Sequence, residues 1–421
     1  MPRLLTGRWL GTRRLAFGLV IGSVACQLPV SAAEPQPAVT PAVTIRAAGR
    51  GAPHLFLGDG QKVPTTYTGS SPDSHARPLA LASADFDEDG MPDLASGYAA
   101  SDGTGVITIH RGNVDALWPY GKAARNGEPP AFLPDARVFT LPEVPDFLRA
   151  GDFDADGHWD LVAAHAGSNS LYLLRGDGHG GFAAPERIAL PGAVTALTTG
   201  EINRVDGLTD IAVAVTGDNG SQVLVFESPM GALRGKPETY PIPAAAAALV
   251  MMPLDDDHLN DLAVGAGNRL LAIHRRDRKL SQTKAVRDGV PPATITTQTL
   301  PFAVRSLAAG RFTSTILDLA ALGDDGKVHF LERPDADYQA ARAELPVAIG
   351  GRNGLPGPGR RGTRDARSLP QKPETMELVL RDEVAIPSSP GPAARLVTAH
   401  TSITATDDLI VADSAARALT R

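Results

Sequence analysis

The sequence predicts an all-β fold made of repeated four-stranded units, and three observations carry that expectation. The first is an internal period. The segment Leu81–Gly97, with Asp85-Phe86-Asp87-x-Asp89-Gly90-x-x-Asp93-Leu94 at its centre, returns as Leu148–Ala164 with Asp152-Phe153-Asp154-x-Asp156-Gly157-x-x-Asp160-Leu161. Weaker copies occur at Leu197–Val215, Leu249–Gly265, Leu307–Leu322 and Leu396–Ala412, each an apolar strand, a loop, and then Asp-Leu or Asp-Ile opening a second strand. The second observation is that strand-like text trails each kernel. Val106–His110, Leu171–Leu174, Gln222–Phe226, Leu270–His274 and Lys327–Leu331 read as third strands, and Arg137–Leu141, Glu186–Leu190 and Thr294–Leu300 as fourth strands. The third is composition. Gly (43) and Pro (35) are abundant in a chain of 421 residues that is still 43% hydrophobic, which fits many short elements and excludes a disordered chain. No segment keeps a helical apolar stripe. Four short antiparallel strands per repeat, at a spacing of about 50 residues, are the signature of a β-propeller blade.

Taken in order, the elements begin with an address. Residues 1–33 carry four arginines (Arg3, Arg8, Arg13, Arg14), a short apolar run at Leu15–Ala25 and small residues at Ser31-Ala32-Ala33, which together read as a secretory signal peptide. Its removal would take the formal net charge from −7 to −11. Ser23-Val24-Ala25-Cys26 is the runner-up, a lipobox that would place a lipid anchor on Cys26. Either way the expected location is secreted, periplasmic or at the cell surface. No later segment reaches the ~18 consecutive apolar residues of a membrane span. The acidic balance and the absence of a basic block argue against nucleic acid as a partner. A single cysteine leaves no intrachain disulfide and no Cys-based zinc site.

Residues 34–51 read as a flexible lead-in and residues 52–421 as the propeller, with a disordered insertion at about 334–374 before a strand at Met376–Ala385. Small residues behind each kernel Asp (Ala95, Ala163, Ala212, Ala263, Ala320) suit strands crowded near the channel. Residues 53–68 read as third and fourth strands without a kernel, and residues 395–412 as first and second strands. Joined, they would complete a sixth blade and leave no exposed edge, or a seventh exists if the chain belongs to a longer ring.

The acidic loops are the strongest chemical motif. Asp85, Asp87, Asp89 and Asp93, and likewise Asp152, Asp154, Asp156 and Asp160, stand at positions one, three, five and nine, with glycine at six to permit a sharp bend. The carbonyls of Met91 and His158, at position seven, would add an oxygen each. Carboxylates so close repel without a cation, and a flexible all-oxygen set favours Ca²⁺. An EF-hand is excluded, because position twelve is Ser96 or Ala163 and both fall in strands. Two further loops are degenerate Ca²⁺ candidates, with Glu201, Asn203, Asp206 and Asp210 in one and Asp255, Asp257 and Asp261 in the other, whereas the fifth and sixth loops have lost the ligands.

The phenylalanine between the first two acids, the Asp-x-Asp-x-Asp-Gly-x-x-Asp loop and the Asp-Leu strand resemble FG-GAP/VCBS repeats, which build the propellers of integrin α-chain heads and of many exported bacterial proteins. The resemblance implies Ca²⁺ held in the hairpin between strands one and two, on one rim, and a non-catalytic adhesion or ligand-binding module with a protein or glycan ligand. The alternatives are a propeller enzyme acting on polysaccharide, as lyase or hydrolase, and a scaffold or sensor propeller of a longer protein. Other motifs weigh less. Arg175-Gly176-Asp177 opens a glycine-rich turn, Trp118-Pro119-Tyr120 lies in an insertion, and His110 and His274 read as ordinary strand residues.

Overall fold

The computed structural model describes residues 44–46, 76–117, 131–255, 259–279, 282–313, 317–333, 377–386, 390–391, 394–399, 406–413 and 418–420. Within them the chain forms six four-stranded sheets and a single short α-helix. The first sheet runs β2 (Arg77–Ala84), β3 (Asp93–Ala99), β4 (Gly105–Gly112) and β5 (Phe132–Leu141). The second runs β6 (Phe147–Gly151), β7 (Asp160–Ala164), β8 (Ser170–Leu174) and β9 (Glu186–Ala189). The third is β10 (Ala193–Gly200), β11 (Asp210–Gly217), β12 (Gly220–Phe226) and β13 (Glu238–Ile242). The fourth is β14 (Ala246–Met252), β15 (Asp261–Ala266), β16 (Arg269–Ile273) and β17 (Ile295–Thr299), with α1 (Lys284–Asp288) between its last two strands. The fifth is β18 (Val304–Gly310), β19 (Asp318–Gly323), β20 (Lys327–Glu332) and β21 (Val379–Ala385).

In these five sheets each strand pairs antiparallel with the next in sequence, as in the blade of a β-propeller. The fold class read from the sequence is the fold observed. The first and second strands of most blades meet through the same register: the kernel Asp faces the last residue of the preceding strand, as in Asp93 opposite Ala84 and Asp160 opposite Gly151.

The sixth sheet differs from expectation. Its first two strands are β22 (Arg395–Ala399) and β23 (Asp408–Asp413), as anticipated. The third strand is β24 (Ala418–Thr420), supplied by the chain's own C-terminal segment, and the outer strand is β1 (Thr44–Arg46), which pairs with β24 in parallel. Residues 53–68, to which those two strands were assigned, lie outside the described residues, as does the insertion at 334–374. The lead-in therefore contains a strand. The signal segment, Cys26 and Trp118-Pro119-Tyr120 also lie outside the described residues.

The second strands are the most buried, because they are covered on both faces. Every residue of β7, β15 and β19 is buried. Apolar layers fill the gaps between consecutive sheets. Phe86, Ile107, Leu148 and Leu174 join the first and second sheets; Phe153, Leu171, Ile211 and Leu224 join the second and third. Further layers join third to fourth, fourth to fifth and fifth to sixth. A buried side chain of this size contributes about 1.5–3 kcal/mol, so face-to-face packing of sheets is the main stabilising term. The kernel phenylalanines Phe86 and Phe153, 1% and 0% exposed, are part of it and carry the loops with them. Among the described residues no helix is long and apolar enough to cross a membrane.

Candidate metal centres

The two full acidic loops are folded by their own first aspartate. Asp85 accepts hydrogen bonds from the Asp89 and Gly90 N–H groups, at 3.0 and 2.8 Å. Asp152 accepts from Ala155 and Gly157 N–H, at 2.7 and 3.1 Å. The turn passes through left-handed backbone at position four (Glu88, φ 56°; Ala155, φ 62°) and at position six (Gly90, φ 88°; Gly157, φ 89°). Glycine at position six meets that demand without a Cβ penalty.

The kernel Asp ties the loop to the sheet. Asp93 Oδ2 accepts from Phe86 N–H at 3.0 Å and Oδ1 from Gly112 N–H at 2.7 Å. Asp160 repeats this with Phe153 and Gly176, at 3.0 and 2.8 Å. Gly176 passes so close to Trp159 that an added Cβ would stand 2.1 Å from its carbonyl oxygen. Phe or Ile at position two thus enters the core while its N–H is satisfied by the Asp. Asp210, Asp261 and Asp318 make the same bond to Ile202, Leu254 and Phe312, at 3.0, 3.0 and 3.1 Å. The motif's last carboxylate is a structural tie in every one of these blades, with or without a full acidic loop.

Three carboxylates converge in each full loop: Asp85, Asp87 and Asp93 in the first, Asp152, Asp154 and Asp160 in the second, with ligand atoms within 4.8 Å of one another. Asp89 and Asp156 are not in these groups. Each turns its Oδ1 back to the N–H two residues on, Met91 at 2.9 Å and His158 at 2.8 Å. The His158 side chain instead meets Glu88 of the first loop, Nδ1 to Oε1 at 2.6 Å, and joins the two loops; Glu88 raises its pKa. Met91 is buried.

Both clusters fit a hard cation. Oδ1 of Asp87 and Oδ1 of Asp154 are buried with no hydrogen-bond partner, at equivalent positions in the two loops. A buried acceptor left unmade costs about 1–3 kcal/mol, and more when charged, unless an ion or a water takes it; Asp318 Oδ1 is also unpartnered, but has no such cluster around it among the described residues. Burial raises the Asp93 and Asp160 carboxyls to about 6, against which their two backbone N–H groups work. A divalent ion would restore the ionised forms, and an all-oxygen set of this kind suits Ca²⁺.

Each cluster also has a guanidinium beside it, which sequence reasoning missed. Arg111 contacts Asp87 through Nε and Asp89 through Nη2, the latter at 2.9 Å. Arg175 Nε lies 2.8 Å from Asp154, and Arg234 Nη2 lies 3.4 Å from the same oxygen. Arg111 and Arg175 occupy one structural position, immediately after the residues paired to Leu94 and Leu161. The Arg175-Gly176-Asp177 tripeptide is thereby engaged within the fold. Arg175 forms an ion pair with Asp154 and a hydrogen-bonded pair with Glu186, and Asp177 Oδ1 closes a turn by accepting from His179 and Gly181 N–H at 2.8 and 2.9 Å.

The remaining loops diverge. In the third, the backbone turn survives: Gly207 N–H donates to Glu201 and Leu208 N–H to Asp206 at 3.1 Å. Asn203, however, accepts from Arg276 N–H at 2.7 Å, and Arg204 stands 3.6 Å from Glu227, which occupies the position held by Arg111 and Arg175 elsewhere. No three-ligand cluster forms there among the described residues. In the fourth loop Asp255 and Asp261 converge with His274, again at the Arg111 position. His274 is not part of the strand assigned to it; β16 ends at Ile273. The carboxylates of Asp255 and then Asp261 raise its pKa to about 9. Asp257 lies outside the described residues. In the fifth, Asp318 Oδ2 accepts from Thr313 N–H and Thr313 Oγ1, both at 2.8 Å, so hydrogen bonds hold that turn.

Residues 152–204, the second acidic loop and the strands to the next blade, match the FG-GAP-like repeat family. That segment therefore carries an FG-GAP-like repeat, set within a β-propeller fold of four-stranded antiparallel sheets. No curated protein sequence matches it significantly. Similar solved structures include two crystal structures of BBS1N in complex with ARL6DN. The one soaked with mercury has 12% identity and a TM-score of 0.36, covering 61% of this chain and 62% of that one. The one soaked with lead has 13% identity and a TM-score of 0.42, covering 81% and 76%. The Dos1 propeller has 11% identity and a TM-score of 0.36, covering 60% and 56%. The chain thus spans less than two thirds of the first and third of these.

Proposed function

We propose that the protein is an exported, calcium-stabilised β-propeller that acts without catalysis, presenting rim loops to a protein or glycan. The observation that carries the metal reading is the pair of orphaned buried oxygens, Asp87 Oδ1 and Asp154 Oδ1, each inside a three-carboxylate cluster. Asp85, Asp87 and Asp93, and Asp152, Asp154 and Asp160, would hold one Ca²⁺ each, which neutralises charge that Arg111 and Arg175 offset only in part. The aspartates at position one shape the turn, those at position three supply the unspent oxygen, and the kernel aspartates fasten the loop to the sheet. A rim fixed in this way loses less entropy when a partner docks. The export part of the reading rests on the basic, apolar and small-residue order of residues 1–33.

Isothermal titration of the metal-free protein with Ca²⁺ tests the metal part, with two equivalents expected and none after Asp87→Ala with Asp154→Ala. Glycan and protein arrays probed in Ca²⁺ and in chelator test the binding part. Retention that depends on Ca²⁺ supports it, and release of cleaved glycan products would replace it with an enzyme.

A further inference from the structure

The fourth blade departs from the first two in a way that changes the metal it suits. His274 Nδ1 lies 3.5 Å from Asp255 Oδ2 and 3.7 Å from Asp261 Oδ2. These separations are longer than ordinary hydrogen bonds, although within ion-pair range. They are close to the spacing of two donor atoms that share one small ion, about 3.3–3.6 Å for ligand bonds of about 2.0–2.2 Å in tetrahedral geometry. We propose that Asp255, Asp261 and His274 form a transition-metal site, with zinc as its preferred occupant, distinct in chemistry from the calcium loops.

Two further observations support a built site. His274 Nε2 pairs with Thr296 Oγ1 on β17 at 3.1 Å, which leaves Nδ1 facing the carboxylates; with Nδ1 on a metal, Nε2 would be the donor and Thr296 the outer partner. Asp261 is fully buried and its orientation is fixed by the N–H groups of Leu254 and Arg275, at 3.0 and 2.9 Å. Replacing one oxygen by imidazole nitrogen lowers the appeal of the set to Ca²⁺ and raises it for zinc. The position that holds Arg111 and Arg175 beside the acidic loops of the first two blades holds His274 here, which puts a donor where those blades have a cation.

The test uses the full chain saturated with Ca²⁺, titrated with Zn²⁺ by calorimetry and with Co²⁺ by visible absorption. One equivalent of Zn²⁺ is expected beyond the calcium sites, with a cobalt d–d band displaced by Zn²⁺ and not by excess Ca²⁺. His274→Gln should weaken Zn²⁺ by more than tenfold and remove the band, while the calcium-induced thermal shift stays as in wild type. Thr296→Val should weaken Zn²⁺ by roughly tenfold. Absence of stoichiometric zinc binding, or zinc binding unchanged by His274→Gln, would overturn the proposal; a proton held on His274 in place of a metal gives the first of these results. The calcium arm is read separately, so its failure would not be mistaken for failure of the zinc site.

Discussion

Arg175 Nε sits 2.8 Å from Asp154 Oδ2 at the place in the second blade where Arg111 meets Asp87 in the first. In both cases the guanidinium takes Oδ2 and leaves Oδ1 buried without a partner. The arginine thus offsets part of the loop charge without occupying the proposed ion position. Arg175→Ala should lower the melting temperature in chelator and strengthen Ca²⁺ binding at that loop by roughly three- to tenfold, since one nearby positive charge is removed. Calcium titration of the variant checks both signs; weaker Ca²⁺ binding would mean that Arg175 positions the ligand.

Asp318 stands in a blade that has lost its acidic loop, yet it is fully buried and accepts three hydrogen bonds, from Phe312 N–H, Thr313 N–H and Thr313 Oγ1. Its role there is structural. Asp318→Ala should cost about 2–4 kcal/mol. The loss should be equal with Ca²⁺ and with chelator, as measured by denaturant unfolding.

How much of this was legible in the sequence depends on how far apart the partners lie. The Asp-x-Asp-x-Asp-Gly-x-x-Asp loops and their strands are local patterns, and Asp85, Asp87 and Asp93 meet as their spacing implies. Asp89 looked equivalent to them, but a side chain at position five can bond the N–H two residues on, and it does so at Met91. Arg111, Arg175 and His274 reach the loops from the far end of the third strand, across hairpins of unequal length, so no fixed spacing announces them. The outer strand β13 was missed because Pro241 interrupts its strand-like text, which an outer strand tolerates. β1 and β24 have three residues each, too few to show a pattern.

Asp210 is the kernel Asp of the third blade, and burial, reinforced by the charges of Glu227, Asp206 and Glu201, raises its pKa to about 8. A carboxyl whose folded pKa lies above its unfolded value near 3.8 favours the fold when protonated. Its contribution is complete below the unfolded pKa and is lost as pH rises through about 8, a slope of about 1.4 kcal/mol per pH unit inside that window. Asp210→Asn keeps an acceptor for Ile202 N–H and removes the titration. Unfolding in urea from pH 5 to pH 8 should show a flatter stability profile for the variant, and identical slopes would contradict this.

Val205 adopts φ 52° in the third loop with its side chain 45% exposed. A β-branched residue is strained in the left-handed region, and nothing in its packing requires the methyl groups. Val205→Asn should stabilise the protein by about 1 kcal/mol, seen as a higher melting temperature, and a loss of stability would show that the side chain has a packing role.

The central claim is that the orphaned oxygens of Asp87 and Asp154 await calcium. Scanning calorimetry in chelator and then in saturating Ca²⁺, on wild type and on Asp87→Ala with Asp154→Ala, tests it most directly. Binding at about 100 times the dissociation constant adds about 2.7 kcal/mol per site, so the wild-type melting temperature should rise by several degrees. The double variant should show no rise. An equal calcium shift in both proteins, or none in the wild type, would contradict the account.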